Sequence, residues 1–160
     1  MSDQLKGSIS SLASESRLYP QEVLLKVRKD RHQLFIGVPK ESSEHEYRVS
    51  LTPKAVELLT ANGHNIVVQS GAGKGANFSD HQYSEAGAKI TADAEEVFSS
   101  DIIMKVKFPS LEELKKIKSG KTLISTIHLN DEFKERINLI NAKKITAIGY
   151  EYIEDKVGGL

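Results

Sequence analysis

The sequence has no cysteine. That absence excludes disulfides, a thiolate nucleophile and cysteine-ligated zinc or iron–sulfur centres. It also fits a reducing compartment. Neither sign of charge is in excess: 22 lysines and arginines stand against 22 aspartates and glutamates. No bulk field therefore draws the chain to nucleic acid or to an anionic membrane. Long apolar runs are missing too; none approaches the roughly 20 residues that a membrane span needs. The N-terminus is rich in serine (Ser8, Ser10, Ser11, Ser14, Ser16) but lacks an apolar core segment, so no secretory leader is expected. No two histidines stand at metal-ligand spacing. The default expectation is a cytoplasmic protein with no nucleic-acid partner, no membrane and no metal.

What remains is an ordinary globular composition, 39% apolar over 160 residues, enough for one domain with its own core. Residues 1–33 read as a polar N-terminal extension, in which Pro20 opens a short amphipathic helix carrying Leu24, Leu25 and Val27. From Leu34 onward, short apolar runs alternate with capped helical segments. The runs are Leu34–Val38, Ile66–Val68, Asp101–Met104, Thr122–Ile127 and Lys144–Tyr150. Between them Thr52-Pro53 starts a helix, Ser79 with Gln82 and Ser110 with Glu113 form capping boxes, and Asp93 with Glu96 is box-like. A further helix is expected over 131–141, with Phe133, Ile137 and Ile140 at helical spacing. Strands alternating with helices predict an α/β fold: a doubly wound, mainly parallel five-stranded (flavodoxin-like) sheet with flanking helices, over residues 34–160.

The stretch Gly71-Ala72-Gly73-Lys74-Gly75-Ala76 satisfies a loose dinucleotide fingerprint. Its context opposes that function. It follows the second strand, and the next helix begins only at Ser79, whereas a pyrophosphate site needs the glycines to run straight into a helix N-terminus. The plainer expectation is a tight turn with positive φ angles.

In an open α/β sheet, ligands bind outside the carboxyl ends of the strands. Arg48 lies in the loop after the first strand, where a guanidinium can take a carboxylate through two parallel hydrogen bonds; the alternative is a solvated or structurally paired arginine, with Glu44 and Glu46 as nearby partners. Lys105 and Lys107 follow the third run, and alternation predicts that both point to one side; the alternative is a pair of surface lysines. His128 ends the fourth run, and an imidazole there suits proton transfer near neutrality; the alternative is a hydrogen-bonded structural histidine. Glu151 follows the fifth run and is expected to orient a lysine or a loop. Together these groups suit a small anionic substrate with a carbonyl.

The segments Ile36–Glu41, Arg48-Val49 through Thr52-Pro53, Gly63-His64, Ser70–Ala76, Phe78–Asp80, Lys105-Val106-Lys107 with Pro109, His128-Leu129 and Tyr150-Glu151 resemble, in this order, the N-terminal domain of alanine dehydrogenases. Proton-translocating nicotinamide nucleotide transhydrogenases share that domain. The resemblance implies interconversion of L-alanine with pyruvate and ammonia using NAD. It implies that Arg48 holds the substrate carboxylate, that Lys107 contacts the substrate and polarises its carbonyl, and that His128 exchanges the proton. Lys105 and Glu151 would be supporting residues. NAD would be bound mainly by a central Rossmann domain expected outside these 160 residues, so this piece alone would be inactive. A homo-oligomer, a hexamer for the full-length enzyme, is also implied. Phe108, where the family often has an acid, and Asn130-Asp131, where it usually has small residues, depart from the pattern. Two other readings stay open: the domain of a transhydrogenase alpha subunit, which tends to lack the second lysine, and a non-catalytic assembly module.

Overall fold

The structure, a computed structural model, describes residues 33–43, 45–127 and 134–154. The expected helix at Pro20, the histidine His128 and the departures Asn130 and Asp131 lie outside the described residues, as does the start of the 131–141 segment. The strands are Phe35–Val38 (β1), Asn65–Gln69 (β2), Lys89–Thr91 (β3), Ile102–Met104 (β4), Thr122–Ser125 (β5) and Thr146–Gly149 (β6). The helices are Pro53–Ala61 (α1), Asp80–Glu85 (α2), Ala94–Phe98 (α3), Leu111–Lys116 (α4) and Lys134–Ala142 (α5).

The α/β, doubly wound expectation holds, and every strand pairing is parallel. The sheet has six strands rather than five, in the order β3-β2-β1-β4-β5-β6. The added strand is β3 at the edge. Its three residues Lys-Ile-Thr hold no apolar run, and only their pairing with Val67–Gln69 makes them a strand.

Helix starts follow their caps. The Thr52 side chain accepts from the Ala55 N–H with Pro53 at the first position. Both predicted capping boxes close, Ser79 with Gln82 and Ser110 with Glu113. Asp93 differs: it accepts from the Glu95 N–H, while Glu96 is drawn to Lys89 on β3. Lys143 donates to the carbonyls of Leu114 and Ile117 at the end of α4, satisfying acceptors that the short helix leaves open.

Two cores cover the two faces of the sheet. Ile36, Val38, Ile66 and Val68 pack with Val56 of α1 and Tyr83 of α2. Ile103 and Leu123 pack with Phe98 of α3, Leu114 of α4 and Ile140 of α5. Sheets buried on both sides need such apolar strands. The chain reverses direction across the sheet between β1 and β4, and that switch point opens a crevice at their carboxyl ends.

Gly37 in β1 faces α3. A Cβ there would sit 2.3 Å from the Val97 carbonyl oxygen and 2.8 Å from Ser100 Oγ. Gly37→Ala must push α3 off the sheet and should lower stability by at least about 2 kcal/mol in urea unfolding. A variant as stable as the parent would show that α3 is not seated against β1.

Candidate functional site

The carboxyl ends of β1, β4, β5 and β6 are laced together by polar contacts. Glu41, just past β1, accepts the Val106 N–H at 2.7 Å. Ser50 donates to the Met104 carbonyl at 2.8 Å. The Lys107 ammonium donates to Ser43 Oγ at 3.0 Å. Thr126, after β5, donates through its N–H and its hydroxyl to the Val106 carbonyl. Glu151, after β6, accepts the Ile127 N–H at 2.6 Å. Lys107 is thus brought to the loop that carries Arg48, and Glu151 ends beside Ile127, the residue preceding His128.

The two lysines of Lys105-Val106-Lys107 part company. β4 ends at Met104 and the backbone bends at 106–107, so strand alternation no longer applies. Lys105 is 1% exposed; its ammonium lies 2.7 Å from Glu113 and 3.4 Å from Glu41. Lys107 is exposed. The expectation of one shared side is corrected accordingly. Glu41 and Glu113 were missed as members of this edge. Neither acid is tied to Lys105 by a local pattern, and only the fold joins them; the burial of Lys105, which calls for acids nearby, is itself a product of the fold.

Arg48 is exposed but engaged. Its Nε and Nη2 donate to the two carboxylate oxygens of Glu46, each at 2.8 Å, and its backbone N–H donates to the same carboxylate at 3.0 Å. The Arg48 guanidinium holds the Glu46 carboxyl down to about 2, with the charge of Lys107 adding to it. Because that value lies below the ordinary 4.5, the pairing stabilises the fold above about 4.5 and loses its effect as pH falls through about 2. Arg48, Glu46 and Lys107 therefore share one electrostatic neighbourhood.

A cleft of about 460 Å3 opens beside this group, lined in part by Lys40, Glu41, Glu46, Tyr47 and Lys74. Another, of about 520 Å3, lies at the opposite end of the strands near Phe35, Asn65 and Asp101, away from these cations. Three buried polar atoms past the carboxyl ends of β1 and β6, Glu41 Oε2, Tyr150 Oη and Glu151 Oε2, have no hydrogen-bond partner among the described residues. Burial, and secondarily the Glu41 charge, push the Tyr150 phenol up. No cluster of metal-ligating side chains occurs among the described residues.

The glycine loop does not fit a dinucleotide. Gly71 has positive φ, but Gly73 does not. The Asp80 carboxylate already accepts the Gly71 N–H at 2.8 Å and the Ser70 hydroxyl at 2.7 Å, putting negative charge where a pyrophosphate would need donors. Gly75 instead allows close packing: a Cβ there would meet Tyr47 O at 2.8 Å and Tyr47 Cα at 2.9 Å. The loop is a seat for the Arg48 segment. Phe108, the departure beside Lys107, is buried in the core with the Arg136 guanidinium 5.7 Å from its ring centre.

Lys105 and Lys107 should differ sharply in what their removal costs. Lys105→Ala strands buried carboxylates and should lose about 3–5 kcal/mol. Lys107→Ala should stay within about 0.5 kcal/mol. Chemical unfolding of both variants measures this, and equal losses would refute the division of roles.

Residues 37–159 match the family described as alanine dehydrogenase/PNT, N-terminal domain. The alanine dehydrogenase of Halomonas elongata is 41% identical over 126 residues, covering 78% of this chain and 34% of that protein. That of Bacillus subtilis is 41% identical over 122 residues, covering 76% and 32%. Among solved structures, an L-alanine dehydrogenase superposes with a TM-score of 0.74 at 33% identity, over 79% of this chain and 35% of the other. A transhydrogenase from Sinorhizobium meliloti gives 0.64 at 29% identity, over 73% and 35%. The chain spans about a third of the length of the curated relatives it matches. With a match over most of its length and this sheet beneath it, the chain belongs to the alanine dehydrogenase/PNT N-terminal domain family.

Proposed function

We propose that this chain is the substrate-holding domain of an NAD-dependent alanine dehydrogenase, an oxidoreductase that interconverts L-alanine with pyruvate and ammonia. The observation that carries the reading is the convergence of Arg48 and Lys107, from the loops after β1 and β4, on one neighbourhood at the switch point. The named relatives, about 40% identical over this domain, support it.

In this reading the Arg48 guanidinium takes the carboxylate of alanine or pyruvate, since a planar fork of donors matches that group. The Lys107 ammonium donates to the carbonyl oxygen of pyruvate and favours negative charge gathering there. His128 gives and takes the proton, as an imidazole near neutrality is suited to do. Lys105 and Glu151 support: the first anchors the β4 loop beneath Lys107, the second holds the backbone leading to His128. NAD supplies the hydride chemistry when bound. The described residues do not fit it at the glycine loop, so the cofactor is assigned to a part of the enzyme other than this domain. The full enzyme is read as a cytoplasmic hexamer.

A transhydrogenase alpha subunit is the second reading, favoured by the TM-score of 0.64 to such a structure. Assays of L-alanine with NAD against a pair of nicotinamide nucleotides separate the two. Under the lead reading, Lys107→Ala and His128→Ala each lower kcat with L-alanine at least about a hundredfold in the enzyme carrying this domain. Near-normal turnover in either would sink the assignment.

The 160-residue chain by itself should show no tight NAD binding in calorimetric titration. A low-micromolar dissociation constant would revive the glycine loop as a cofactor site.

A further inference from the structure

Arg48, the proposed carboxylate holder, is already gripped by a carboxylate of the chain itself. Two outcomes are possible in chemistry: Glu46 competes with the ligand and must leave, or it stays and aims the guanidinium. The geometry separates them. Glu46 uses one side of the fork, Nε and Nη2, and leaves the Nη1/Nη2 edge without a partner among the described residues. A guanidinium carries five N–H donors, enough to serve a carboxylate on each of two edges.

The burial of the two partners is unequal. The Glu46 side chain is 4% exposed and the Arg48 side chain 73%. Glu46 is also fixed locally: it accepts the Arg48 backbone N–H, and its own N–H donates to the Ser43 carbonyl. Displacing it would strand a buried anion. The arginine is therefore the accessible member and the acid the anchor.

We infer that Glu46 is a positioning residue that grips the Arg48 guanidinium side-on and presents its Nη1/Nη2 edge to a ligand carboxylate. The inference rests on the carboxylate-holding role proposed for Arg48. It extends that role by naming what orients the guanidinium, with the ligand carboxylate bound without loss of the internal pair.

The test is nitrogen-15 NMR of the arginine and lysine side chains in this chain, titrated with sodium pyruvate, for the parent and for Glu46→Gln. In the parent, pyruvate should shift the Arg48 Nη signals and leave its Nε–H signal in place. Glu46→Gln should bind pyruvate roughly tenfold more weakly, the effect of losing one charge-assisted hydrogen bond. In the enzyme carrying this domain, KM for L-alanine should rise by a similar factor, with kcat within about twofold. A parent Nε–H signal that moves with pyruvate overturns the inference, because Glu46 is then displaced. So does a Glu46→Gln variant that binds pyruvate equally or more tightly. If pyruvate shifts neither Arg48 nor Lys107 in the parent, the carboxylate reading itself fails and this inference falls with it.

Discussion

One buried ammonium organises the site end of this domain. Lys105 is almost wholly withdrawn from water, so its charge must be met inside the protein. It is met by Glu41, from the loop after β1, and by Glu113, from the first turn of α4. Those two acids have second tasks. Glu41 holds the Val106 N–H, and Glu113 closes the capping box on the Ser110 N–H. A single cation thus ties the two sides of the switch point to each other and to the helix that follows. Buried ion pairs contribute little net stability against an apolar replacement, but a broken one is costly. The arrangement therefore serves geometry more than stability: it fixes where the β4 loop leaves the sheet.

That constraint explains why adjacent charges behave differently. With Lys105 locked beneath, the bend after Met104 turns Lys107 outward toward Ser43 and the Arg48 loop. Glu41 and Glu46 lie five residues apart in one loop and divide in the same way. The first faces a buried lysine; the second meets an exposed arginine. Of the two acids, only Glu46 has a partner, the exposed Arg48 guanidinium, that can meet a ligand from solvent without dismantling the core.

Much of the fold was legible because it depends on local chemistry. Thr52-Pro53, Ser79 with Gln82, and Ser110 with Glu113 announce helix starts through hydrogen bonds that span three residues or fewer. The apolar runs of β1, β2, β4 and β5 announce a doubly covered sheet. β3 was not legible, because Lys89-Ile90-Thr91 becomes a strand only beside β2. The candidate site was legible as a set of cations at strand ends, and no further. The difference between Lys105 and Lys107 needed the bend. The acids that partner them needed contacts such as Glu41 to Val106, 65 residues apart. Phe108 looked like a lost acid at the site, whereas its ring belongs to the core and to Arg136.

The glycine loop shows how a motif can be present for another reason. Glycines spaced this way suit a backbone that must approach something closely, and phosphate is only one such partner. Here the close partners are protein. A Cβ at Gly73 would lie 2.5 Å from the Tyr83 ring, and one at Gly75 would strike the Tyr47 backbone. Tyr83 is itself fully buried, its hydroxyl donating to the Leu51 carbonyl at 2.8 Å. The loop thus rests on the ring beneath it and carries the Tyr47-Arg48 strand of chain above it. A side chain at Gly75 would press on the Tyr47 backbone next to Arg48, and one at Gly73 on Tyr83 and Phe78. The spacing that imitates a cofactor fingerprint is the steric condition for seating this loop on Tyr83 and against Tyr47.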